Sequence, residues 1–165
     1  MLKESENPPI VWPEDRKISE FSGDWWVAHT KSRNEKKLAN TLAGKQIHYF
    51  LPMVWKVSHK RGRKVRSLLP LFSGYLFFCG NEEDRLAVLR TNRVAGLIEV
   101  NDKQKLVQEL EQIEQAISAG IDLSPHKYLQ KGQQCRVLSG PLQGVQGKIT
   151  QIRGLTRLLL QVDML

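Results

Sequence analysis

Apolar residues recur along this chain at two spacings, and the switches between them predict an order of elements. Trp25-Trp26-Val27-Ala28 begins a strand. From Asn34 to Lys45, Leu38 and Leu42 with Ala39 and Ala43 form an apolar stripe at helical spacing, opposite a lysine-rich face. Ile47 to His59 and Val65 to Cys79 are β-branched and aromatic, and the polar stretch Lys60-Arg61-Gly62-Arg63 separates them, which predicts one long hairpin. Glu82 to Arg90 predicts a short helix with Leu86 and Leu89 inward, and Val94 to Val100 a further strand. From Asp102 to Ser118 the clearest helix follows: Leu106, Leu110, Ile113 and Ile117 fall on one face, Asp102 is a candidate N-cap and Gly120 a natural stop.

The two ends break this rhythm. Residues 1–22 lack periodicity and carry Pro8, Pro9 and Pro13, so a flexible leader is expected there. After residues 120–130, which include Pro125 and read as a linker, residues 131–165 turn all-β. Val137 and Leu138 run into a Gly140-Pro141 turn, and Gly144 and Gly147 precede a strand from Lys148 to Ile152. The order β-α-β-β-α-β-α and then all-β predicts an α+β domain over residues 23–119 followed by a small β-barrel.

At 165 residues the chain has room for one ordinary domain or two small ones, and its 41% hydrophobic content is that of a folded protein. No apolar run approaches the ~20 residues of a membrane span, and the first residues lack the apolar core of a signal peptide. A cytoplasmic location with no membrane partner is expected. Twenty-five Lys and Arg against seventeen Asp and Glu give a net charge of +8, which favours polyanionic partners through steering and counterion release. Charge alone does not separate nucleic-acid binding from a solvated surface. Cys79 and Cys135 lie far apart in strand-like contexts and read as buried thiols with no disulfide or metal role. His29, His48, His59 and His126 show no ligand spacing, and no glycine-rich phosphate loop is present; neither an enzyme nor a cofactor is expected.

Four blocks carry a resemblance. VLSGPLQGVQGKI resembles a KOW motif, while DWWVAHTKSRNEKKL, LPLFSGYLFF and RVAGLIEV resemble the amino-terminal domain of the NusG family of transcription elongation factors, in the family's order from Asp24 to Leu165. FLPMVWKVSHKRGRKVRSLLPLFSGYLFF is similar to the RfaH-like specialised antiterminators. Ser73, however, stands where many relatives carry proline, and Gly74 follows the housekeeping pattern rather than the RfaH-type asparagine. The resemblance implies a NusG amino-terminal-type α/β sandwich followed by a KOW-type barrel. That barrel normally has a fifth strand, and Leu160 to Leu165 fall where it should begin, so a barrel lacking its last strand is expected.

The functional expectations follow from the same blocks. Leu71 to Phe78 is apolar on both faces, which suits either a strand buried on both sides or one with an exposed docking patch. The resemblance implies the patch, with Phe72, Tyr75 and Phe77 at positions that bind the clamp helices of the largest RNA polymerase subunit. Lys31, Arg33, Lys36, Lys37 and Lys45 gather on one stretch with Glu35 as the sole acid, and like charges such as Arg33 and Lys37 cost a few tenths of a kcal/mol on a helix. This face is either solvated or, as the resemblance implies, set against the non-template DNA strand, with Lys31, Lys37, Thr41 and Lys45 as candidates. The tip around Arg61 and Arg63, acid-free from Lys56 to Arg66, would approach upstream DNA, and Arg93 corresponds to a position near the nucleic-acid face. The barrel glycines Gly140, Gly144 and Gly147 and the Pro141 turn build the module's fold. By resemblance the module binds a small-subunit ribosomal protein or Rho, and in RfaH-like members it refolds as helices. The implied protein is a monomeric elongation and antitermination factor; the competing reading is a general RNA-binding or ribosome-associated KOW module.

Overall fold

The computed structural model of the chain describes residues 4–123, 134–136, 144–152 and 155–159. The described residues fall in two compact units, residues 1–103 and 104–165.

The first unit is a five-stranded antiparallel sheet with helices. Its strands are β1 (Val11–Trp12), β2 (Asp24–Thr30), β3 (His48–Phe50), β6 (Tyr75–Gly80) and β7 (Val94–Glu99), in the order β1-β3-β6-β2-β7. The strands β4 (Met53–Lys60) and β5 (Arg63–Pro70) form a separate two-stranded hairpin. The two long runs that predicted a single hairpin are therefore each divided. Leu51-Pro52 separates β3 from β4, and Leu71 to Gly74 separate β5 from β6. Pro52 and Pro70 cannot donate to a continuous ladder, and Gly74, at φ +87°, turns the chain where a side chain would be strained. The Leu71 amide donates to the Pro52 carbonyl (2.8 Å) and closes the hairpin root.

Helix α1 (Glu35–Gly44) buries Leu38, Ala39 and Leu42, the predicted stripe. They pack with Trp26, Ala28, Ile47, Tyr49, Leu51, Met53, Leu76, Phe78 and Val88 in one core, where each large side chain contributes about 1.5–3 kcal/mol. The helix ends in a Schellman turn: Gln46, at φ +59°, donates to Ala43 and Ile47 donates back to Leu42. Helix α2 (Glu82–Arg90) starts on a reciprocal cap between Asn81 and Asp84, with both bonds 2.9 Å. It buries Val88 and leaves Leu86 and Leu89 over a third exposed, the reverse of the expected orientation. With so few apolar positions in a nine-residue helix, two leucines did not fix which face turns inward.

The segment expected to be a flexible leader has defined structure from residue 4 onward and joins the sheet through β1. Val11 and Trp12 pair with Phe50 and Tyr49, the Tyr49 hydroxyl donates to the Pro9 carbonyl (3.0 Å), and the Leu51 amide donates to Ile10 (2.7 Å). Ile18 is fully buried, and Phe21 stacks on Trp25 and tilts against His48. Burial raises the Tyr49 hydroxyl above the ordinary phenol range and pushes the Cys79 thiol up to about 12, so that Cys79, bonded to the Ser22 carbonyl, is a protonated and inert core residue.

In the second unit α3 (Lys103–Ser118) buries Leu106, Leu110, Ile113 and Ala116; Ile117, expected on this face, is only half-buried. It ends on Gly120, at φ +70°, in another Schellman turn, with Gly120 donating to Ile117 and Ile121 to Ala116. The strands β8 (Gln134–Arg136), β9 (Gln146–Ile152) and β10 (Leu155–Leu159) form a three-stranded antiparallel sheet with β9 central. Gly144, at φ +86°, lies in the turn before β9, and Gly147 pairs with Cys135. Gly140, Pro141 and the expected site of a further strand lie outside the described residues, as do the Cys135 side chain and His126.

Ile18→Ala is expected to lower stability in urea by about 2–5 kcal/mol, the cost of emptying a fully buried isoleucine site, whereas a loose leader would tolerate the change within about 0.5 kcal/mol.

Candidate nucleic-acid and partner interfaces

The α1 and α2 helices bring their carbonyl ends to one place, and a cleft of about 230 Å³ opens there between Thr41, Lys45, Ala87, Arg90, Thr91 and Arg93. Three cations line it and no acid does. Cations at helix C-termini gain about 0.3–1 kcal/mol from the macrodipole, which accounts in part for Lys45 and Arg90. Neither acquires a counter-ion from the lining, so the cleft presents net positive charge suited to a phosphate or carboxylate. Its walls are held by local bonds: the Thr41 hydroxyl donates to the Lys37 carbonyl (2.9 Å) and the Thr91 hydroxyl to Val88 (2.6 Å).

Arg93 and Lys31 are set beside one another by the backbone. The Lys31 amide donates to the Arg93 carbonyl (2.8 Å), the Lys31 ammonium reaches the Asn92 amide oxygen (2.6 Å), and the Arg93 guanidinium reaches Asn34 (3.2 Å). Thr41, Lys45 and Arg93 thus line one cleft. Lys31 is tied to its rim, and exposed Lys37 stands one helical turn before Thr41. Sequence reasoning missed Arg90 and Thr91, which end α2 just ahead of Asn92 at φ +55°. Only the pairing of two helix ends gives them meaning.

Lys36 leaves the group. Half-buried, it donates to Asn7 (2.6 Å) and to the Leu68 carbonyl (2.5 Å), bracing the leader and the hairpin. Burial lowers its ammonium pKa, and neighbouring Glu35 partly opposes this.

The aromatic positions divide as strand alternation requires. Leu76 and Phe78 enter the core with α1, and Tyr75 and Phe77 point to the other face of the sheet. Phe77 is fully buried there, with Phe50 and Phe72 each 6.3 Å away, the latter edge-on. Of the three expected contact residues it is a support rather than a surface. Phe72 and Tyr75 are half-exposed, and Tyr75 stacks on His29 at 5.1 Å. The loop bearing them is pinned by a buried carboxylate: Glu35 Oε1 accepts the Gly74 amide (2.7 Å), and the Gly74 carbonyl accepts from Thr30 (2.8 Å).

Arg61 and Arg63 stand exposed at the hairpin tip, outside the cleft. Arg61 and Gly62 form its two-residue turn, both with positive φ, the geometry that suits the twist of paired strands. Among the described residues no three His, Cys, Asp or Glu side chains come together to hold a metal, and no helix is long and apolar enough to cross a membrane.

Residues 23–116, more than half of the chain, match the model of the NusG family, described as transcription termination factor nusG. No curated protein matches the chain.

Glu35→Ala leaves the Gly74 amide without its acceptor and is expected to cost about 1–3 kcal/mol in urea denaturation, while Glu35→Gln, which keeps an amide oxygen in place, recovers most of the loss.

Proposed function

Since the chain belongs to the NusG family, whose members are transcription factors that bind RNA polymerase, we propose that it is an elongation and antitermination factor of the RfaH-like type, acting on selected operons. The carrying observation is the acid-free cleft of Lys45, Arg90 and Arg93 in the helical layer, while Phe72 and Tyr75 flank the opposite face of the same sheet. One face suits a protein partner and the other a polyanion. In this reading Phe72 and Tyr75 dock on the clamp helices of the largest polymerase subunit, with Phe77 holding Phe72 in place. Lys31, Lys37, Thr41, Lys45, Arg90 and Arg93 meet the non-template strand, and Arg61 and Arg63 approach upstream DNA. Phosphate contacts of this kind fix position without reading sequence.

The effect on transcription requires only differential binding. A factor that favours the processive polymerase over its paused state by ~1.4 kcal/mol shifts their ratio tenfold. Spread over an apolar dock and several phosphate contacts, that preference is modest. Residues 131–165 act in this reading as the KOW-like module, joined by a 120–130 linker and taking a small-subunit ribosomal protein or Rho as partner. The factor works as a cytoplasmic monomer without a cofactor.

Co-elution with core RNA polymerase is the direct test. Phe72→Ala with Tyr75→Ala should abolish co-elution in a variant that circular dichroism shows to be folded, its melting temperature lowered by loss of the Phe72–Phe77 and Tyr75–His29 contacts. Phe77→Ala is an unsuitable probe, because emptying that site costs about 3–5 kcal/mol of fold stability. Retained binding by the folded double variant rejects this dock, and wild-type protein that ignores polymerase but binds structured RNA brings forward the ribosome-associated alternative. For the cleft, Lys45→Gln with Arg90→Gln should preserve polymerase binding and flatten the salt dependence of single-strand DNA affinity by about 1.4 in log–log slope, two phosphate contacts' worth.

A further inference from the structure

The hairpin carries an aromatic residue that the core does not use. Antiparallel register pairs Trp55 with Leu68, Val57 with Arg66 and His59 with Lys64, which puts these six residues on one face. The Arg66 guanidinium lies 4.1 Å from the Trp55 ring centroid. Trp55 is nevertheless 38% exposed, and Val57 beside it 52%. From Lys56 to Arg66 the chain carries Lys56, Lys60, Arg61, Arg63, Lys64 and Arg66 and no acid.

We propose that the Trp55–Arg66 face of the β4–β5 hairpin is a stacking platform for an unpaired base of single-stranded DNA. Arg66 fixes the plane of the indole through the cation–π contact, so its remaining surface is presented in one orientation. A flat π-surface among cations matches the two parts of a nucleotide, a base to stack on and a phosphate to neutralise. Duplex is a poor fit, since its base faces are covered by their neighbours and only its phosphates are offered. A protein partner is a poor fit as well: interface cores are depleted of charge, and covering this face would desolvate Lys64 and Arg66 along with it. At ~3.3 Å per residue, the tip cations stand about 16 Å from Trp55, so a strand laid along the hairpin meets both. The choice of DNA rests on the elongation-factor reading; the stacking chemistry does not.

The test is fluorescence anisotropy of the full chain with labelled oligodeoxythymidine of about a dozen nucleotides, with a duplex of equal length and with oligouridine, at about 50 and 200 mM salt. Trp55→Leu is expected to weaken single-strand DNA binding about tenfold, leave duplex binding within about twofold, and keep the salt slope, because no charge is removed. Trp55→Phe retains most of the affinity. Arg66→Gln weakens both forms and reduces the slope by about 0.7–0.9. The proposal is overturned if Trp55→Leu binds the single strand as wild type does, if it weakens duplex equally, or if wild type shows no single-strand binding. A Trp55-dependent preference for oligouridine overturns the assignment to DNA. Because Trp55 belongs to the β4–β5 hairpin and not to the segment bearing Phe72 and Tyr75, polymerase co-elution of the same variant is expected to persist. Failure of wild-type co-elution with Trp55-dependent stacking intact would sink the elongation-factor reading and leave the platform standing.

Discussion

Strand β6 is the constraint on which the first unit depends. It lies at the centre of the sheet, bonded to β3 on one side and β2 on the other, so its backbone has no freedom to turn. Period-two alternation then assigns its side chains to opposite layers. Leu76 and Phe78 complete the core beneath α1, and Phe77 fills the other face against Phe50 and Phe72. A one-residue slip would exchange these sets and place Tyr75 in the helical core. The same hydrogen-bond ladder that builds the core therefore fixes which aromatics remain near the surface.

The loop leading into β6 inherits this rigidity through one carboxylate. Glu35 is buried at the first turn of α1, where a negative charge also complements the positive end of the helix dipole. Its bond to the Gly74 amide joins the start of α1 to the turn that presents Phe72 and Tyr75. The next residue, Lys36, extends the bracing to the Leu68 carbonyl on the hairpin and to Asn7 in the leader. Two consecutive charged residues, which the sequence places on an ordinary basic helix face, thus connect the aromatic loop, the hairpin and the leader.

Elements whose apolar and polar faces contrast strongly were legible from the chain. The α1 stripe of Leu38, Ala39 and Leu42 and the α3 stripe of Leu106, Leu110 and Ile113 were of this kind. The leader was not, because its β1 strand is two residues long, part of its hold on the sheet runs through the Pro9 and Ile10 carbonyls, and its buried Val11, Ile18 and Phe21 follow no regular spacing. The burial of Phe77 was not legible either. A strand apolar on both faces reveals that it is central, and what covers each face is decided by residues distant in sequence, here Phe50 and Phe72. The cleft was half legible: Arg93 stood out by resemblance and Thr41 and Lys45 by lying one and two helical turns beyond Lys37, while Arg90 and Thr91 acquire a role only when α2 ends beside α1.

Charge placement follows from the same architecture. Cations in the cleft sit against helix carbonyl ends, which lowers the cost of gathering Lys45, Arg90 and Arg93 without acids. The hairpin has no such dipole, and its six cations between Lys56 and Arg66 repel one another along a separate two-stranded ribbon. Repulsion of this kind is tolerable only where solvent screens it, at a Debye length of about 8 Å in physiological salt. Such a ribbon gains stability from any polyanion that replaces the screening ions, and releasing those ions adds a favourable entropy. The cations of the cleft are locally compensated by helix carbonyl ends, whereas those of the hairpin are compensated only by solvent and its ions.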